Sequence, residues 1–308
     1  MNVVVSYWSA NVVALAAYAV AAVTHLLGMR DAATDARRQG RSLPPDRLRR
    51  AVAFQGGLLL AVLAVVSPIG YWSYRFIWIR NFQDVILAIA APALIVLGAP
   101  WLPLRRGLGL AVRDRRAAGA PAAPGDPGGQ ADAAGQDWSP GWPALPIVVT
   151  VVFSVVWWVW HLSGPFDAAV RSPAVYALEV ITYLAAGILM WLQLVESPPL
   201  RPQLPPLRRI ALVVVLAASG TVLGLIRAYG PGVAYPAYLD FGRSVSAVVS
   251  DQQAGGAILW VIPLIPFSIL AVALAVRWLS EDESEPTPAD FDRLLKHKSA
   301  WPSRPGLR

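Results

Sequence analysis

Residues 79–99 read IRNFQDVILAIAAPALIVLGA, and this stretch decides the fold class. From Val85 onward it is apolar on every helical face, which is the pattern of a helix surrounded by protein or lipid. As a helix, a run of this length spans about 31 Å, the thickness of a bilayer's hydrocarbon core. Its first turns carry Arg80, Asn81, Gln83 and Asp84. Such groups are costly against lipid and turn toward other helices or a wet interior. One segment therefore predicts both a membrane span and a polar cluster at its start.

Similar apolar windows lie on both sides, at residues 8–29, 51–70, 143–163, 173–195, 210–228 and 254–278. The 308 residues are 56% hydrophobic and 15% charged, with a mean hydropathy of +0.50. That composition excludes an ordinary soluble domain. The expectation is an all-α integral membrane bundle of about seven transmembrane helices over residues 1–278. A flexible cytoplasmic linker interrupts it at about 105–142, and a cytoplasmic tail follows at 279–308. Within the linker, AAGAPAAPGDPGGQADAAGQ at 117–136 has nothing to pack and nothing to fix its backbone.

Basic residues set the orientation, because short loops rich in arginine stay in the cytoplasm. Arg30, Arg37, Arg38, Arg41, Arg47, Arg49 and Arg50 follow the first span, Arg105, Arg106, Arg113, Arg115 and Arg116 the third, and Arg201, Arg208 and Arg209 the fifth. This places the N-terminus outside and the C-terminus in the cytoplasm. Trp72, Trp78, Trp157, Trp158 and Trp160 then fall at the outer interface, and Trp101, Trp142, Trp191 and Trp278 at the inner one, as amphipathic indole rings prefer. The first span is read as a retained helix, since its basic cluster follows the apolar run instead of preceding it. The net charge of +7 is read as attraction to anionic lipid, not to nucleic acid.

Chemistry-bearing residues are few: three histidines, three methionines and no cysteine. Disulfides and thiolate metal sites are thereby excluded. His25 sits toward the inner end of its span and His161 toward the outer end of another, a depth difference of about 20 Å that excludes joint haem ligation. Both lysines, Lys296 and Lys298, lie in the tail, so no span offers the Schiff-base amine that retinal requires. No nucleophile–base pair or phosphate loop is recognisable, which argues against an enzyme. Pro92, Pro263 and Pro266 fall inside spans, where proline kinks a helix or frees a carbonyl.

The polar residues converge at one depth. Arg80, Asn81, Asp84, Glu179, Arg227, Asp251 and Gln252 form the expected structural cluster, with Arg80 and Asp84 four apart on one helix face. His161, Asp167 and Arg171 bracket the loop after the fourth span. Two readings stand side by side: a network of ion pairs that fixes helix order, or a ligand site in which His161, Asp84, Glu179 and Asp251 hold a metal.

Several strings, in order, resemble those of the CtaG-like assembly factors of caa-type cytochrome c oxidase. They are Val66-Ser67-Pro68, the run Ala91-Pro92-Ala93-Leu94 to Ala99-Pro100, Trp160-His161 with Phe166-Asp167, Ala177-Leu178-Glu179, Tyr235-Pro236-Ala237-Tyr238, and Asp251-Gln252-Gln253-Ala254-Gly255-Gly256 followed by Trp260. The resemblance implies a multi-pass protein of the bacterial inner (plasma) membrane. Its implied partners are terminal oxidase subunits of the respiratory chain, and its implied role is in assembling or copper-loading that oxidase. Copper is the one cofactor the resemblance brings in. In that family the third span opens with His-Met-x-x-His, and a further histidine follows the Leu-Glu of the fifth span. Here those positions hold Arg80, Asn81, Asp84 and Val180. The alternative is a metal-free accessory subunit bound to an oxidase complex through its spans.

Overall fold

The computed structural model describes residues 7–9, 11–40, 42–110 and 144–282. Residues 111–142 of the linker expected at about 105–142, the tail beyond 282, Trp142 and His297 lie outside the described residues, whereas residues 105–107 belong to a helix. Those described residues form an all-helical bundle with no β-strand among them. In chain order the helices are α1 (Val12–Arg38), α2 (Arg47–Val66), α3 (Pro68–Trp72), α4 (Ile77–Val85), a π-helical turn (Ile86–Ala90), α5 (Ala91–Leu97) and α6 (Trp101–Gly107). Next come α7 (Leu145–Trp160), α8 (Ser163–Arg171), α9 (Pro173–Leu194), α10 (Pro206–Tyr229), a 3₁₀ turn (Pro236–Phe241) and α11 (Val245–Asp282). Six helices are long and apolar enough to cross a membrane. A seventh crossing is made if α7 and α8, which meet at 67°, count as one span.

The third span, α4 through α5, is the hub. It is 78% buried within the protein, against 17% for the apolar window of α1. Within its π turn, the Ile89 carbonyl accepts from Trp191 Nε1 on α9 at 2.9 Å. Arginine and alanine keep α1 helical past its apolar run to Arg38, beyond the expected limit at residue 29. At its start, Asn11 accepts from the Ala14 amide at 3.0 Å. Ser67 does the same for Ile69 in α3 at 3.2 Å, with Pro68 in the first turn.

Two expectations need correction. Trp157, Trp160 and Trp191 are 3–7% exposed. They pack into the core of the bundle instead of lining a lipid interface, because α9 covers the α7 face that carries the first two. The stretch from Ser163 to Arg171 is a helix and not a loop. Gly164 and Pro165 fall in its first turn, where a missing N–H costs no hydrogen bond. Pro263 and Pro266 both lie inside α11, which runs on as a single helix.

A close helix crossing lies between α10 and α11. A Cβ placed on Gly224 would stand 2.7 Å from the Gly256 carbonyl oxygen, and one on Gly256 would stand 2.6 Å from the Gly224 oxygen and 2.5 Å from the Ala228 nitrogen. Two glycines thus bring the backbones together, the way small residues let membrane helices approach. This crossing holds the start of α11 against the end of α10 and so fixes where Asp251 and Gln252 point.

Candidate functional site

The cluster forms at one end of the bundle, where α4 begins. Phe76, the residue before α4, offers no side-chain cap. Asp251 of α11 supplies one from across the fold: Ile77 N donates to Oδ2 and Trp78 N to Oδ1, each at 3.0 Å. Arg243 donates to the same carboxylate and to the Arg75 carbonyl. Replacing Asp251 with alanine strands two amides and a cation, and is expected to cost about 2 kcal/mol. Thermal unfolding of the purified variant checks it, and an unchanged midpoint counts against the cap.

One turn further along, Arg80 projects into the bundle with no exposed surface. It donates to Glu179 on α9, and its Nε lies 3.7 Å from Asp84 Oδ1. The expected pairing of Arg80 with Asp84 is therefore present, but Glu179 is the tighter partner. The guanidinium also faces the Tyr176 ring at 4.7 Å and the Phe166 ring at 5.7 Å. Gln83 donates to the Ala64 carbonyl at 2.6 Å and to Tyr176 Oη at 2.7 Å. Asn81 is fully buried over Gly255, and among the described residues neither its oxygen nor its nitrogen finds a hydrogen-bond partner.

His161 ends α7. Its Nδ1 lies 2.7 Å from the Trp157 carbonyl, so Nδ1–H donates there and Nε2 is left facing Asp84 Oδ2 at 3.7 Å. That distance is too long for a hydrogen bond. Above it lies a cap that the sequence did not reveal. Tyr235 stacks on Phe166 with centroids 3.9 Å apart and donates to the His161 carbonyl at 3.0 Å. Arg227 donates to the same carbonyl. Tyr238 donates to the Ser73 carbonyl at 2.7 Å. Burial pushes both phenols above their usual range, so they remain neutral donors. Asp167 accepts from Ala237 N at 3.2 Å, and Arg171 joins α8 to Asp240 at 2.9 Å. Gln252 accepts from Ala234 N at 2.7 Å. The Tyr-Pro-Ala-Tyr string, together with Asp167, Arg171, Arg227 and Gln252, is the sequence signal for this layer, and nothing in it specifies what it covers.

Placement of the seven expected cluster residues is now clear. Arg80 is in ionic contact with both Asp84 and Glu179, and Asn81 follows it in α4. Arg227 and Gln252 belong to the cap, and Asp251 is the helix cap of α4.

The family model of the cytochrome c oxidase caa3 assembly factor matches residues 30–281. The chain belongs to that family. The match covers the helices just described except residues 12–29, the larger part of α1, and the last residue of α11. An uncharacterized protein of Mycobacterium leprae is 25% identical over 260 residues, and uncharacterized proteins of Mycobacterium bovis and Mycobacterium tuberculosis are 24% identical over the same length. Each alignment covers 80% of this chain and 36% of the relative, so the chain spans about a third of the length of the curated relatives it matches. No solved structure matches.

For this caa3 assembly factor family member, copper is the ion to test against the residues present. His161 alone is arranged as a ligand, with one ring nitrogen fixed by a carbonyl and the other free. Both carboxylates are engaged by Arg80, and Asp251 is committed to backbone amides. Among the described residues, no group of three or more His, Cys, Asp or Glu side chains could hold a metal ion. The donor set does not fit copper while the guanidinium stands among it.

Proposed function

We propose that this chain helps assemble a terminal respiratory oxidase of the caa3 type in a bacterial cell membrane. It would act as a multi-span helper that contacts oxidase subunits and performs no catalysis of its own. The observation that supports this most is the family match over nearly the whole bundle. The basic ends of α1 and α6 and the loop before α2 would face the cytoplasm, and the polar cluster with its cap would lie toward the outer surface. The charged groups within the bundle are used in ion pairs, rings and caps that hold helices, which suits a scaffold that must dock and release.

A second reading is a resident accessory subunit. One observation favours it: the outward face of α1, with Val12, Ala16, Val20 and Thr24 beside Leu104 and Leu108, borders an apolar groove of about 710 Å³. Such a face of small and branched residues could seat a partner helix permanently.

Deleting the gene and purifying the oxidase from the parent strain separate the two. The expected result is that oxidase activity falls on deletion while the mature complex lacks this chain. Stoichiometric recovery of the chain in the mature complex would establish the subunit reading, and unchanged oxidase activity on deletion would remove both.

A further inference from the structure

The cluster under the cap is assembled around a cation that the chain itself supplies. Glu179 and Asp84 reach the guanidinium of Arg80 from α9 and α4, and His161 from the end of α7 stands against the far oxygen of Asp84 at 3.7 Å. All four side chains are at most 1% exposed. Aromatic faces cover the rest of the guanidinium, Tyr176 at 4.7 Å, Phe166 at 5.7 Å and Tyr74 at 6.0 Å. Two carboxylates, an imidazole and a ring of π faces are what a buried cation needs. A second cation placed here would meet an arginine that does not give up its proton at a few ångströms, in a medium that screens poorly.

We propose that Arg80 is the resident cation of this site. Its guanidinium takes the position between Glu179 and Asp84 that an external ion would otherwise occupy, and the site works without metal. Being tethered, it neither exchanges nor departs, so this point of the bundle cannot pass an ion on. What the site does instead is lock α4 and α9 together, with α7 held alongside through His161. The inference does not depend on the oxidase reading, since it concerns what fills the cluster whatever the chain assembles.

The test uses the full-length protein in detergent. Wild-type protein is exposed to Cu(I), Cu(II) and Zn(II), washed with a weak chelator and analysed for metal, beside His161→Ala. No metal above background is expected, and close to one ion per chain that disappears in His161→Ala would overturn the proposal. Arg80→Ala is then heated with and without millimolar guanidinium, using sodium at equal ionic strength as control. Guanidinium should raise its unfolding midpoint by at least about 3 °C by filling the vacated place. A variant as stable as wild type, or one indifferent to guanidinium, would also overturn it. If Arg80→Ala yields no folded protein, Arg80→Lys decides: a folded, metal-free lysine protein supports a resident cation, and a lysine variant no better than alanine refutes it.

Discussion

Glu179→Gln is expected to lower the unfolding midpoint of the purified protein by about 10 °C, corresponding to roughly 3 kcal/mol. Arg80 is buried without exposure and Glu179 is its tightest ionic partner. Removing one charge of a buried pair leaves the other in a poorly screening medium, whereas exchanging both for apolar groups of similar volume is often neutral. The double variant Arg80→Met with Glu179→Met should therefore recover part of what the single change loses, the rest being held back by Asp84, which loses its cation as well. Thermal unfolding of the wild type, both single variants and the double variant measures the coupling. If the double loses the sum of the two singles, the residues do not act as a pair.

A larger effect is expected at the crossing of α10 and α11. Gly256→Val should prevent accumulation of folded protein, and Gly256→Ala should already cost several kcal/mol. The new Cβ would meet the backbone of Gly224 and Ala228 at 2.5–2.6 Å, and backbone cannot swing aside as a side chain can. Gly220, on the facing helix α10, provides the control at the same crossing. A Cβ there has the Leu259 carbonyl as its nearest neighbour at 3.7 Å, ordinary van der Waals contact. Gly220→Ala should be within about 0.5 kcal/mol of wild type and somewhat better as a helix former. Abundance in the membrane fraction, together with the unfolding midpoint, distinguishes them. Equal behaviour of the two alanine variants would mean that the crossing is looser than it stands.

The membrane class and the positions of the spans were legible because the bilayer sets a length and a polarity that few other environments demand. Helix ends were less legible. Alanine, aspartate and arginine carry α1 to Arg38, where hydropathy says nothing although helix propensity does. The start of α11 at Val245 precedes the apolar run, since Asp251 and Gln252 are polar yet satisfied within the fold. Charge alone showed that Glu179 needs a partner. That the partner is Arg80 depends on how α4 packs on α9, which pattern does not encode. The cap was hidden for a different reason: its hydrogen bonds run from side chains to main-chain carbonyls such as those of His161 and Ser73, and a backbone acceptor has no signature in a sequence.

The π turn at Ile86–Ala90 carries a consequence for phase. An α-helix advances by about 100° per residue, and a single wide turn is equivalent to one inserted residue. The half of the span that bears Arg80 and Asp84 and the half that bears Pro92 and Val96 therefore follow two angular registers. Forcing Ile86–Ala90 into regular α geometry at unchanged length would make the helix uniform, yet would rotate one half against the other by about 100°. Either the charges would leave Glu179, or Val96 would lose the Ser197 hydroxyl that now bonds its carbonyl at 2.6 Å. The turn thus acts as a phase adjuster, letting one helix answer to two sets of neighbours at opposite ends of the membrane.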